Sequence, residues 1–238
     1  MIPKIIHYVW LGKEKMPRNF KKCLRSWEKF CPDYKIIRWD ESNLNLDNYA
    51  YVKDAINSKK YAFASDVIRL EKVYEHGGIY LDVDVELLQP IGDLLDCKCF
   101  FGFESGNLIN PGIMFGSQAE NKDLKNILQI YKNKHFDDKG TNETICEVVT
   151  NYYEELGLVR ENKMQQIDNT IFYPSEYFSP IDIITNKIDI TKNSRSIHWY
   201  NASWFNPKQK FKKFIKYVLN KLTFGWFGKY IYKKRTTK

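Results

Sequence analysis

Apolar residues appear along this chain in two textures: short, nearly continuous runs, and longer stretches in which they return every three or four positions. Residues 4–11 form a run of the first kind, closed by Gly12, which predicts a strand buried on both faces of an α/β sheet. Residues 17–30 follow the second pattern. Phe20, Leu24 and Trp27 share a helical spacing, proline stands in the first turn, and Pro32-Asp33 supplies the stop. Residues 34–39 predict a second strand, and strand, helix, strand is the opening of a parallel sheet. Two more helices are predicted at 47–57 and 61–76, the second ended by Gly77-Gly78, followed by a strand at 79–85. Short strands at 99–103, 113–116, 171–173 and 196–200, and helices at 122–132 and 141–155, complete the pattern.

At 238 residues and 43% hydrophobic content the chain supports one sizeable core. Its five cysteines are odd in number and lack the paired spacing of a structural zinc site, which fits a reduced, cytoplasmic setting. The amino-terminal residues read as a strand, because His7 interrupts the apolar stretch and a basic leader is missing. No apolar run approaches the ~20 residues that span a bilayer.

The formal charge of +8 is unevenly placed. After Pro207 there are ten Lys and Arg235 and no Asp or Glu, so that segment carries +11 and the rest of the chain −3. Phe211, Phe214, Ile215, Val218, Leu219 and Leu222 fall on one helical arc with lysines opposite, and Trp226, Phe227, Tyr230 and Tyr232 follow. The expectation is a domain of residues 1–206 and a basic amphipathic segment, 207–238, that lies on an anionic membrane surface. The alternative is a terminal helix docked on the domain. Nucleic acid is not expected, since no groove-reading motif accompanies the charge.

Candidate chemistry is concentrated in residues 61–85. Read as a strand, 79–85 puts Asp82 and Asp84 on one face. Adjacent carboxylates repel unless a cation or hydrogen-bond donors compensate, and a hard divalent ion with positions open for phosphate is one such partner. The alternative is a solvated strand end. On the preceding helix Asp66 and Arg69 are three apart and share a face. They form either a surface ion pair or a grip on sugar hydroxyls and phosphate oxygens.

The run Ala64-Ser65-Asp66, then Arg69, then Gly77-Gly78-Ile79-Tyr80-Leu81-Asp82-Val83-Asp84 resembles the signature of glycosyltransferase family 32. It is also similar to the glucosyltransferase domains of the large clostridial toxins. Residues 4–12 resemble the first strand of these families, and Ile197-His198-Trp199-Tyr200-Asn201-Ala202-Ser203-Trp204 resembles their closing motif, so the likeness spans residues 2–204. Trp199 and Tyr200 depart from that motif, in which a second histidine follows the first.

The resemblance implies a GT-A type α/β fold with a mixed, mainly parallel sheet, a manganese or magnesium ion, and transfer of a hexose with retention. It implies Asp82, Asp84 and His198 as metal ligands, Asp66 and Arg69 on the transferred sugar, Trp10 stacked on the donor base, and Tyr80 near the donor. It further implies Ser203 and Trp204 at the departing diphosphate and Asn110 at sugar hydroxyls, where a plain Asn-Pro-Gly turn is the alternative. Glu104 is a candidate to face the acceptor. The expected donor is UDP-glucose or UDP-galactose, then GDP-mannose, and the acceptor a glycan or lipid-linked saccharide. The expected setting is bacterial capsular, exopolysaccharide or lipopolysaccharide synthesis at the inner face of the cytoplasmic membrane. Two rivals remain: a phosphatase of the haloacid-dehalogenase kind, which would need a Thr where Glu86 stands, and a non-enzymatic module binding lipid or polyanions.

Overall fold

The computed structural model describes residues 1–140, 142–182 and 187–200. The strands are β1 (Ile5–Val9), β2 (Lys35–Trp39), β3 (Gly78–Tyr80), β4 (Val85–Leu87), β5 (Cys99–Gly102), β6 (Phe115–Ser117), β7 (Gln165–Ile167), β8 (Thr170–Tyr173) and β9 (Ser196–His198). The helices are α1 (Arg18–Phe30), α2 (Ala50–Asn57), α3 (Tyr61–His76), α4 (Lys122–Tyr131), α5 (Ile145–Glu155) and the single turn α6 (Ser175–Phe178).

Seven strands form one sheet in the order β2-β1-β3-β6-β5-β8-β7, and β4 pairs with β9 in a separate ribbon. Strands β2, β1, β3, β5 and β8 run one way, and β6 and β7 are reversed, so the sheet is mixed and mainly parallel. Strand alternation sends neighbours into different cores. Tyr80, Phe101, Phe115 and Phe172 pack under α2 to α5. Ile6, Tyr8, Ile79 and Phe100 pack on the other face with Trp27 of α1 and Phe178 of α6. Sheet burial on both faces is why these strands read as near-continuous apolar runs.

Helix α3 ends where its sequence says it must. Gly77 caps it at φ 64, where a Cβ would lie 2.8 Å from the backbone nitrogen of Ala119. The long strand expected at 79–85 does not form. Leu81 still reaches the sheet through its N–H to the His7 carbonyl, but Asp82 bonds to Gly112 instead, and Val85 N–H returns to the Asp82 carbonyl at 2.9 Å. The chain therefore turns at Asp82–Val85 and resumes as β4, which α1 holds through Trp27 Nε1 to the Val85 carbonyl at 2.8 Å and Ser26 Oγ to Leu87 N–H at 2.9 Å. Residues 207–238, proposed from sequence as a membrane-lying helix, are outside the described residues, as are Ser203 and Trp204.

Candidate active site

The carboxyl ends of β1 and β3 and the first turns of α3 open onto one cleft of about 510 Å³. Ligand crevices in α/β sheets form at such strand ends because the connections there leave backbone and side chains exposed. Trp10, Asp66, Arg69, Asp82, Asp84, Asn110 and His198 all line it. Tyr80 does not: its ring is buried beneath the Arg69 guanidinium, 4.8 Å from centroid to Cζ, and its hydroxyl donates to Asp82 Oδ1 at 2.9 Å.

Arg69 is the hub of one side. Its side chain is 5% exposed, and its Nη2 lies 3.0 Å from Asp66 Oδ1 and 3.2 Å from Asp82 Oδ1. Ser65, one turn earlier, accepts from the same guanidinium through its carbonyl and its hydroxyl. Two carboxylates share one guanidinium in a partly closed space, so one of them holds its proton more firmly than usual. Burial pushes Asp66 up to about 7, opposed by Arg69 and reinforced by Asp82. Burial likewise raises Asp82 against the pull of Arg69 and His198.

The approach is close enough to require glycine at 112. A Cβ there would stand 2.4 Å from Asp82 Oδ2, 2.7 Å from Arg69 Nη1 and 3.0 Å from Asn110 Oδ1. Asp82, Arg69 and Asn110 thus meet around one backbone position.

Asp84 and His198 make the other side. The pairing of β4 with β9 sets Val85 opposite His198, and Trp199 N–H donates to the Asp84 carbonyl at 3.1 Å. His198 Nε2 lies 3.0 Å from Asp84 Oδ1, while its Nδ1 is buried and has no hydrogen-bond partner among the described residues. Burial alone lowers the affinity of His198 for a proton, but Asp84 and then Asp82 outweigh it and the net shift is upward.

One ligand atom each from Asp82, Asp84 and His198 falls within 4.8 Å of the others. Two carboxylate oxygens and an imidazole nitrogen form a donor set suited to a divalent cation, and among the described residues the buried His198 Nδ1 has no hydrogen-bond partner. The sequence expectation that Asp82 and Asp84 converge holds, but through the turn at 82–85 and not through strand alternation.

At the far end of the cleft Trp10 is fixed by its Nε1 donating to the Glu14 carbonyl at 2.8 Å and by an edge contact with Phe20 at 5.7 Å. Sequence reasoning did not place Tyr61, Phe63, Thr144, Ile145 and Cys146, which also line the cleft. Tyr61 and Phe63 precede Asp66 on α3 and were visible as candidates by proximity. The Thr144 and Glu147 capping box is legible as the start of α5, but that Thr144 lines the same cleft as Asp66 is a long-range fact.

Residues 17–101 match the family described as glycosyltransferase sugar-binding region containing DXD motif. Over 107 residues the chain is 34% identical to an uncharacterized glycosyltransferase of Acanthamoeba polyphaga mimivirus, covering 42% of this chain and 43% of that protein. Over 99 residues it is 35% identical to inositol phosphoceramide mannosyltransferase 2 of Schizosaccharomyces pombe, covering 40% of this chain and 28% of that protein. The aligned part is thus less than half the length of these relatives. Among solved structures, PaToxG glycosyltransferase matches with a TM-score of 0.50 at 18% identity, covering 65% of this chain and 69% of that one, a likeness of fold. The mixed sheet flanked by helices is the GT-A architecture. The match covers the segment that holds Asp66, Arg69, Asp82 and Asp84, so this part of the chain is similar to the DXD-containing sugar-binding region of glycosyltransferases, on a fold like that of PaToxG glycosyltransferase.

Proposed function

We propose that this chain is the catalytic region of a metal-dependent, retaining glycosyltransferase that moves a hexose from a nucleotide-diphosphate sugar to a glycan or lipid-linked acceptor. The observation that carries the reading is the convergence of Asp82, Asp84 and His198 within 4.8 Å, in the cleft that Asp66 and Arg69 also line. Asp82, Asp84 and His198 hold Mn2+ or Mg2+, and Trp10 offers its indole face to the base. A divalent cation bound there supplies positive charge against the negative charge that develops on the departing diphosphate.

The remaining work falls to the protein's side chains. Asp66 and Arg69 orient the transferred sugar, and Arg69 also keeps Asp82 aimed at the cleft. The carboxylates nearest the cluster are engaged, Asp66 and Asp82 with Arg69 and Asp84 with His198, which leaves a covalent adduct on a carboxylate without a candidate among them. We therefore favour front-face substitution, in which the leaving phosphate oxygen takes the proton of the acceptor hydroxyl. Ser203 and Trp204, assigned to the leaving diphosphate by sequence resemblance, belong to the same reading.

UDP-glucose and UDP-galactose are the first donors to test. GDP-mannose stands beside them because a relative is named as an inositol phosphoceramide mannosyltransferase. That name also favours a lipid-linked acceptor. Among the described residues no helix is long and apolar enough to cross a membrane. Residues 207–238, with eleven cations and no acidic residue, are the proposed contact with anionic lipid at the inner face of the cytoplasmic membrane. The deciding assay is release of free nucleoside diphosphate from these three donors. Release that requires Mn2+ and is lost in Asp84→Asn supports the reading, and no release from any donor by the wild-type protein overturns it.

A further inference from the structure

Beside the cation cluster lies a second polar chain of contacts, which ties Asn110, set at sugar hydroxyls by the family resemblance, to Glu104, for which the resemblance gives no such role. Asn110 lines the cleft, with its Oδ1 accepting from Gly112 N–H at 2.7 Å and its Nδ2 donating to Glu104 Oε2 at 2.8 Å. The amide orientation is therefore set twice over. Turned round, the carbonyl would face a carboxylate and the NH2 would face a backbone N–H. Among the described residues the second amide hydrogen on Nδ2 has no acceptor.

The same Glu104 oxygen takes the Tyr200 hydroxyl at 3.4 Å, and Tyr200 also shares a hydrogen bond with Ser179 at 3.0 Å. Tyr200 sits at φ 47, a region costly for a residue with a side chain, and its ring stands 4.1 Å from that of His198. Strain of this kind persists only where neighbours over-determine the conformation. Glu104 is itself anchored at the mouth of a tight turn, its N–H donating to the Leu108 carbonyl at 2.8 Å and its carbonyl accepting from Asn107. Glu104 is not a lining residue of the cleft, whereas Asn110 and Tyr200, two of its hydrogen-bond partners, both are.

We propose that Glu104 is a positioning residue for sugar recognition: its carboxylate aims the remaining Asn110 N–H into the cleft, as a single donor to a hydroxyl oxygen of the transferred sugar, and steadies Tyr200 beside His198. This rests on the sugar-nucleotide reading above. Because Asn110, Arg69 and Asp82 crowd around Gly112, the hydroxyl that meets Asn110 belongs to the same ring that Arg69 orients. Trp10, where the proposed nucleotide end would lie, bonds to Glu14, while the side chain of Glu104 bonds to Asn110 and Tyr200.

The test compares wild type, Glu104→Ala and Glu104→Gln by calorimetric titration with UDP-glucose, UDP-galactose and GDP-mannose, and with UDP and GDP alone, all in Mn2+. Glu104→Ala is expected to weaken the bound sugar nucleotide about tenfold while the free diphosphate changes by less than about twofold, since only the sugar contact is lost. Glu104→Gln retains an oxygen for Asn110 and recovers most of the affinity. Equal affinity in wild type and Glu104→Ala overturns the proposal, as does equal loss of sugar nucleotide and free diphosphate, or a Gln variant as weak as Ala. The enzymatic reading is judged on the wild type alone: if it binds none of these ligands in Mn2+, that reading fails and this inference falls with it.

Discussion

Two buried histidines sit on strands of this protein, and their surroundings are opposite in kind. His7 on β1 uses both nitrogens: Nε2 faces the Gly77 carbonyl at 2.8 Å and Nδ1 accepts from Trp39 Nε1 at 3.0 Å. That pattern requires a neutral ring with its proton on Nε2. Protonation would set an imidazole N–H against the indole N–H, and burial already holds the pKa down at about 4. His198 on β9 has Asp84 on one nitrogen and, among the described residues, no partner on the other, in surroundings acidic enough to raise its pKa. Residue type, strand position and burial are shared by the two. Completeness of hydrogen bonding among the described residues separates them, and the incomplete one lines the cleft that holds Asp82 and Asp84.

The same contrast divides the cleft itself. Arg69, Asp66, Ser65 and Tyr80 form a network of the protein's own bonds, with Asp82 shared between it and the cation cluster. Cutting that network should therefore cost stability, and the largest effect expected is from Arg69→Met. It leaves two carboxylates near one another without their cation, for a loss of about 3–5 kcal/mol in urea denaturation. A loss under about 1 kcal/mol would show that the network is not the brace described here.

His7 supplies the next test. Its folded-state pKa lies below the ordinary 6.5, so the unfolded chain binds the extra proton first as pH falls. Stability present at pH 7 is lost progressively through the window from 6.5 down to about 4, amounting to about 3 kcal/mol at its end. Denaturation curves of wild type and His7→Gln should diverge across that window, the variant lacking this component. Parallel curves would contradict the assignment of His7 as a closed structural group.

The incomplete site predicts a different outcome. His198→Gln keeps volume and a donor for Asp84, so stability without metal should change by less than about 1 kcal/mol, while Mn2+-dependent diphosphate release should fall on the order of 10²-fold. If release persists and stability collapses, His198 belongs with His7 and the comparison fails.

Much of the scaffold was legible before any coordinates. Helix α3 begins and ends at the expected residues because its apolar period is uninterrupted and glycine stops it. The shared face of Asp66 and Arg69 followed from helical spacing alone. The acidic pair was identified by residue type but placed on a strand that does not exist, because period-two alternation is a local rule. What breaks the strand is a pair of distant partners, Gly112 for Asp82 and β9 for β4. Tyr80 was assigned to the donor when its ring serves as the floor beneath Arg69, a distinction that depends on which face of β3 is covered. Glu104 and Cys146 carry no spacing that marks them. Their proximity to the cleft arises from the β5 to β6 turn and from the packing of α5, which no short pattern encodes.

The central claim is that Asp82, Asp84 and His198 together hold a divalent ion, and thermal unfolding measured with and without Mn2+ tests it most directly. At about a hundred times its dissociation constant, Mn2+ should stabilise the wild-type protein by about 2.7 kcal/mol, a rise in Tm of roughly 5–10 °C. Asp84→Asn should show almost none of that rise. An equal rise in wild type and variant, or no rise in the wild type at any Mn2+ concentration, would contradict the account.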